Sequence, residues 1–112
     1  MKIKTNELKG VQLDWAVSKC EGFLCDYEDR DALVSYSTDW SESGPIIERE
    51  GIHLTTRAGM YKQTGEWSAQ HGWAGDVGFH GPTPLIAAMR CYVANKLGSE
   101  IEIPEEFSLN LN

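Results

Sequence analysis

The apolar residues of this chain change their rhythm twice. Leu13, Ala16, Val17 and Cys20 recur at i, i+3, i+4 and i+7, the spacing of one helix face. The pattern predicts a helix from about Asn6 or Gly10 to Glu21, with Gly10 weakening its first turn and Gly22 placed for a left-handed C-terminal cap. Trp15 falls off that stripe, as a second contact face or a half-exposed lid. From Ala32 to Ala69 the apolar runs become short and are broken by Gly and Pro. Leu33 to Ser37 alternates like a strand, and Ser41 to Pro45 has turn composition. Ile46–Glu50 and Ile52–Thr56 flank Gly51 as two strands or one bulged strand, and Glu66–Gln70 follows a turn at Thr64-Gly65. The helical period then returns. Leu85, Met89, Val93 and Leu97 repeat every four residues with Ile86 beside them; Thr83 is the expected N-cap, Pro84 the first helical residue and Gly98 the stop. Lys2-Ile3-Lys4 and the stretch from Ile101 to Ile103 read as short edge strands, Pro104 ending the second, and residues 108–112 read as a frayed tail.

An amphipathic helix must bury its stripe, and the sheet face is the available partner. The expectation is therefore an α+β fold: a single domain over residues 1–112, with a helix, an antiparallel sheet of three to five short strands and a second helix in an α/β sandwich. Short connections favour hairpins over parallel crossovers. Neither an internal repeat nor a low-complexity linker interrupts the chain.

Composition narrows the classes. The longest apolar run, Leu85 to Met89, is far short of the roughly 20 residues of a membrane span. The first residues carry no apolar signal stretch, so the sequence predicts a protein kept in the cytoplasm with free thiols. The formal charge of −7 argues against neutralising nucleic-acid phosphates. That charge is unevenly placed: residues 23–50 hold eight acids against two Arg, a block of −6. Its core, Asp26 to Asp31, reads first as a solvated turn and second as a patch for a basic partner.

Five ordered segments carry a resemblance. They are Leu13-Asp14-Trp15-Ala16-Val17, Tyr36-Ser37-Thr38-Asp39-Trp40, Gly44-Pro45-Ile46-Ile47-Glu48, Trp67-Ser68-Ala69 and Gly81-Pro82-Thr83-Pro84-Leu85-Ile86-Ala87-Ala88-Met89-Arg90. In these the chain resembles the NinX-like family of small proteins from lambdoid tailed phages and their prophages. The resemblance implies a phage accessory protein made in the bacterial cytoplasm. It implies no activity and no catalytic residues.

Candidate chemistry concentrates in residues 71–82, a long Gly-rich loop with Gly at 72, 75, 78 and 81. Trp73 and Phe79 are its stacking or anchoring aromatics, His71 and His80 its titrating groups, and it feeds a helix start whose N–H groups suit an anion. The plainer reading is a covering loop whose aromatics cap the sheet. No Lys-Ser/Thr follows the glycines, so it is not a triphosphate loop. Arg90 is expected in an ion pair with Asp14, Asp39 or Glu48, or less simply in a carboxylate clamp. Trp40 is a candidate interface anchor among four Trp. Cys20, Cys25 and Cys91 with His53, His71 and His80 fit no usual zinc spacing, so no metal or cofactor is expected. Asp26 to Asp31 lacks the Gly of a calcium loop, and neither a nucleophile elbow nor a paired-His motif is present. The favoured function is a non-catalytic protein-interaction module acting on an unknown host or phage protein. A small-ligand or anion-binding protein using residues 71–84 and an acidic DNA mimic are the alternatives.

Overall fold

The computed structural model describes residues 2–22, 34–56, 67–71 and 79–104. In chain order these form strand β1 (Lys2–Lys4), a 3-10 turn (Thr5–Glu7), helices α1 (Val11–Cys20) and α2 (Trp40–Glu50), strands β2 (Ile52–Thr56), β3 (Trp67–His71) and β4 (Phe79–Gly81), helix α3 (Pro84–Leu97) and strand β5 (Glu100–Glu102). The fold is α+β, with two small antiparallel sheets. β2, β3 and β4 form a meander; β1 and β5 form a separate two-stranded ribbon.

Helix α3 forms where its local signals put it. The Thr83 side chain accepts from the Ile86 N–H at 3.2 Å, Pro84 opens the helix, and Gly98 follows it with φ 98°. Its burial goes beyond the expected stripe. Leu85, Ala87, Ala88, Met89, Cys91, Tyr92 and Val93 are all buried, whereas Leu97 is exposed. A helix apolar on nearly every side belongs inside. Accordingly α3 packs against α1, α2, the 3-10 turn and strands β2 to β5.

Helix α1 is shorter than the longest reading of its period. Gly10 precedes it at φ 57°, and beyond it Gly22 sits at φ 86° and donates to the Lys19 carbonyl at 3.2 Å. Leu13, Ala16 and Val17 reach the core. So do Gln12, Asp14 and Ser18, which makes α1 a buried helix with polar faces.

The central region departs from expectation. The turn expected at 41–45 and the strand at 46–50 are one helix, α2. Asp39 caps it, accepting from the Ser41 N–H at 2.9 Å, and the buried Ser43 hydroxyl donates to the Tyr36 carbonyl. Ser43, Ile46, Ile47 and Glu50 then turn inward at helical spacing. Gly44 and Pro45 lower the intrinsic helix propensity, by about 1 and about 3 kcal/mol relative to Ala in a helix interior; tertiary contacts override them. Gly51 is not a strand bulge but the left-handed cap of α2, at φ 66°. The strand expected at 33–37 is also absent among the described residues: Tyr36 to Thr38 form a turn, and Leu33 lies outside them. The turn at Thr64-Gly65, the cluster Asp26 to Asp31 and the tail 108–112 lie outside them as well.

The ribbon joins the two expected edge strands in a register of opposite charges, Lys2 facing Glu102 and Lys4 facing Glu100 around the Ile3–Ile101 pair. Such cross-strand pairs contribute roughly 0.2–1 kcal/mol each. Thr5 extends the join, its N–H donating to the Ser99 carbonyl at 2.7 Å and its hydroxyl to the Gly98 carbonyl at 2.6 Å.

At the other end of α3, β4 lies hard against the helix. A Cβ at Gly81 would stand 2.8 Å from the Ala87 nitrogen and 2.9 Å from the Ile86 Cγ2. Backbone cannot yield as a side-chain tip does, so Gly81→Ala is expected to cost about 1–3 kcal/mol by overpacking. Urea unfolding of the variant checks this; an unchanged midpoint would show that β4 is not held against α3.

Candidate functional site

Three of the expected site residues come together at the free edge of β4. The His80 main chain points away from its neighbouring strand, and side chains take both of its polar groups. Its N–H donates to Asn6 Oδ1 at 3.1 Å, and its carbonyl accepts from Arg90 Nη1 at 2.6 Å. Arg90 Nε donates at 2.8 Å to the Leu8 carbonyl, just after the 3-10 turn. The guanidinium fork thus spans two main-chain carbonyls, from Leu8 and from His80. These are the described partners of Arg90, in place of the expected carboxylates. Asp14 accepts from the Ser37 N–H, and Asp39 caps α2.

Phe79, next to His80, packs partly against the core and lines a cleft of about 430 Å³ together with Lys4, Asn6, Ser99 and Glu100. The residues come from β1, the 3-10 turn, β4, the bend at Ser99 and the first residue of β5, so the cleft exists only once the ribbon has closed. Its volume is that of a small-molecule site. The imidazole of His80 is half-buried, and its Nδ1 is buried with no hydrogen-bond partner among the described residues. His71 ends β3 opposite Ile52, and Trp73 lies outside the described residues. The stretch read as one loop therefore begins and ends in strand. Trp40 stands on another element, at the first position of α2, 52% exposed.

Two further constellations escaped the sequence reading. The first joins the C-terminal ends of α1 and α2 to the middle of α3. Arg49 grips Glu21 with both terminal nitrogens, at 3.2 and 2.7 Å, and donates through Nε to Glu50 at 2.9 Å. The Tyr92 hydroxyl donates to Glu21 and accepts from Arg49 at 3.0 Å. The hydrogen bonds from Arg49 lower the Glu21 pKa, whereas burial raises that of Tyr92. Nearby, burial chiefly, with Glu21 beside it, pushes the Cys20 thiol up to about 11, and burial alone does the same at Cys91. Such thiols are poor nucleophiles at neutral pH. The second is Asp14, buried on α1, whose Oδ1 accepts from the Ser37 N–H at 2.8 Å. Burial raises its carboxyl above the ordinary 3.8, opposed by the hydrogen bonds from Ser37. Among the described residues no three His, Cys, Asp or Glu side chains gather as a metal would require. No helix among them is long and apolar enough to cross a membrane.

Fold and site together define a small α+β protein organised around one central helix, with an open cleft at its ribbon and an exposed tryptophan on α2. The chain belongs to the family described as Bacteriophage P22, NinX, whose model matches residues 4–96; it is a phage accessory protein. No curated protein matches it. The matched range contains every expected site residue but stops before β5.

Asp14 yields a signed pH dependence. A carboxyl whose pKa rises on folding contributes most stability below its unfolded value and loses it as pH rises through the folded value. Asn at this position keeps an acceptor for Ser37 and carries no charge. Asp14→Asn should therefore match or fall below the native protein near pH 4 and gain on it steadily above 3.8, until the native carboxyl is fully ionised. Melting temperatures of both proteins across this range test it. Parallel curves would mean that burial does not raise the Asp14 pKa.

Proposed function

We propose that this phage accessory protein is a non-catalytic interaction module that binds a host or phage protein in the bacterial cytoplasm. One observation carries the reading: Trp40, the largest kind of side chain, is 52% exposed at the start of a helix whose other apolar residues, Ile46 and Ile47, turn inward. Exposing an indole forgoes its burial energy, and tryptophan is enriched among residues that anchor protein interfaces. The raised thiol pKa values of Cys20 and Cys91 and the committed hydrogen bonds of Arg90 support a binding role over a catalytic one. Affinity purification from infected cells should return one stoichiometric partner with the native chain and lose it with Trp40→Ala. Because the residue is half in solvent, that variant should melt within a few degrees of the native protein. Repeated purifications with no partner, or a partner indifferent to Trp40, would sink the reading.

A second reading, a small-ligand protein, is favoured by the cleft. Phe79 supplies an apolar wall there, and Lys4, Asn6, Ser99 and Glu100 supply polar groups of both charges. A ligand at 100 times its dissociation constant adds about 2.7 kcal/mol of stability. A thermal-shift screen of phosphates and carboxylates should then find a stabiliser whose effect vanishes with Phe79→Ala. Flat melting curves across the screen count against it.

A further inference from the structure

Resting on the interaction reading above, we infer that the Trp40 face of α2 takes a cationic protein segment, with an Arg or Lys side chain lying over Gly44 between the Trp40 ring and the Glu48 carboxylate. Trp40, Gly44 and Glu48 are four residues apart and form one ridge of α2; Ser41 and Pro45 form the ridge beside it. Trp40, Ser41, Pro45 and Glu48 are all exposed. The glycine between the two large side chains leaves a notch. Its own surroundings do not require it: an added Cβ would meet nothing within 4 Å, and its φ is not in the left-handed region. Pro45 next to it is exposed as well. Two poor helix formers therefore stand together on the outward face, where neither serves the core. A contact face for another molecule gives them a use.

The charge of that face selects the occupant. Asp39, Glu42 and Glu48 are exposed on or beside α2. Hydrogen bonds from the Ser41 hydroxyl and N–H hold the Asp39 carboxyl below its ordinary range, so it stays ionised. The one cation of the helix, Arg49, is occupied by Glu21, Glu50 and Tyr92. An incoming guanidinium or ammonium would meet an aromatic face on one side and a carboxylate on the other, the two attractions a cation gains most from. It would lie over the second and third turns, beyond the first-turn field of the helix dipole that disfavours positive charge.

The test uses the full chain and fluorescein-labelled hexa-arginine, with labelled hexa-glutamate as control, followed by fluorescence anisotropy at low and high salt. The native protein should bind hexa-arginine, more weakly as salt rises, and ignore hexa-glutamate. Trp40→Ala, Glu48→Gln and Gly44→Ala should each weaken binding by about two- to fivefold, the range of an exposed cation–π contact. Gly44→Ala should do so while melting no lower than the native protein, which separates the notch from folding. Hexa-arginine binding that is indifferent to Trp40 and Gly44, or absent at low salt, overturns the inference. A natural partner that depends on Trp40 but is not displaced by hexa-arginine also overturns it, and leaves the interaction reading standing.

Discussion

A strand at the edge of a sheet presents unpaired N–H and C=O groups that must be satisfied or covered. At β4 this constraint is met by side chains from outside the sheet: Asn6 takes the His80 N–H and Arg90 the His80 carbonyl. Because Arg90 also binds the Leu8 carbonyl, satisfying the edge fixes where the N-terminal segment runs. That segment then brings β1 to β5 and places Lys4 and Asn6 opposite Phe79 and Glu100. The cleft is thus a by-product of closing an edge. A guanidinium suits the task because its planar fork offers donors in two directions and keeps its charge.

The features open to sequence reading were those whose cause is local. Thr83, Pro84 and Gly98 fix the limits of α3 through their own backbone preferences, and Gly22 does the same just past α1. The alternation of lysine at 2 and 4, and of glutamate at 100 and 102, held a further signal: two edge strands of complementary charge belong together. Helix α2 was hidden because Gly44 and Pro45 spell a turn. What makes it helical lies elsewhere, in the Tyr36 carbonyl that receives Ser43 and in the core that receives Ile46. A β reading of Ile46-Ile47 was reasonable on propensity and lost to burial at helical spacing.

The site was less legible than the fold for a related reason. The sequence places Phe79 and His80 in the 71–82 stretch and reads Arg90 apart from them, as a partner for a carboxylate; its described acceptors are main-chain carbonyls, which leave no mark in residue identity. Asn6, which completes the arrangement, looks like any polar residue near a helix start. The Glu21–Arg49–Tyr92 cluster joins residues from three helices, so no spacing along the chain could announce it. Trp40 was picked for its residue type, and its exposure is a fact only of the folded chain.

The central place of α3 also bears on how the chain acquires its shape. Synthesis runs from the N-terminus, so α1, α2 and the three-stranded meander all leave the ribosome before the helix on which they pack. Until residues 84–97 emerge, these segments lack the surface that would bury Leu13, Ile46 and Ala69. Their packing on α3 therefore waits for the synthesis of residues 84–97.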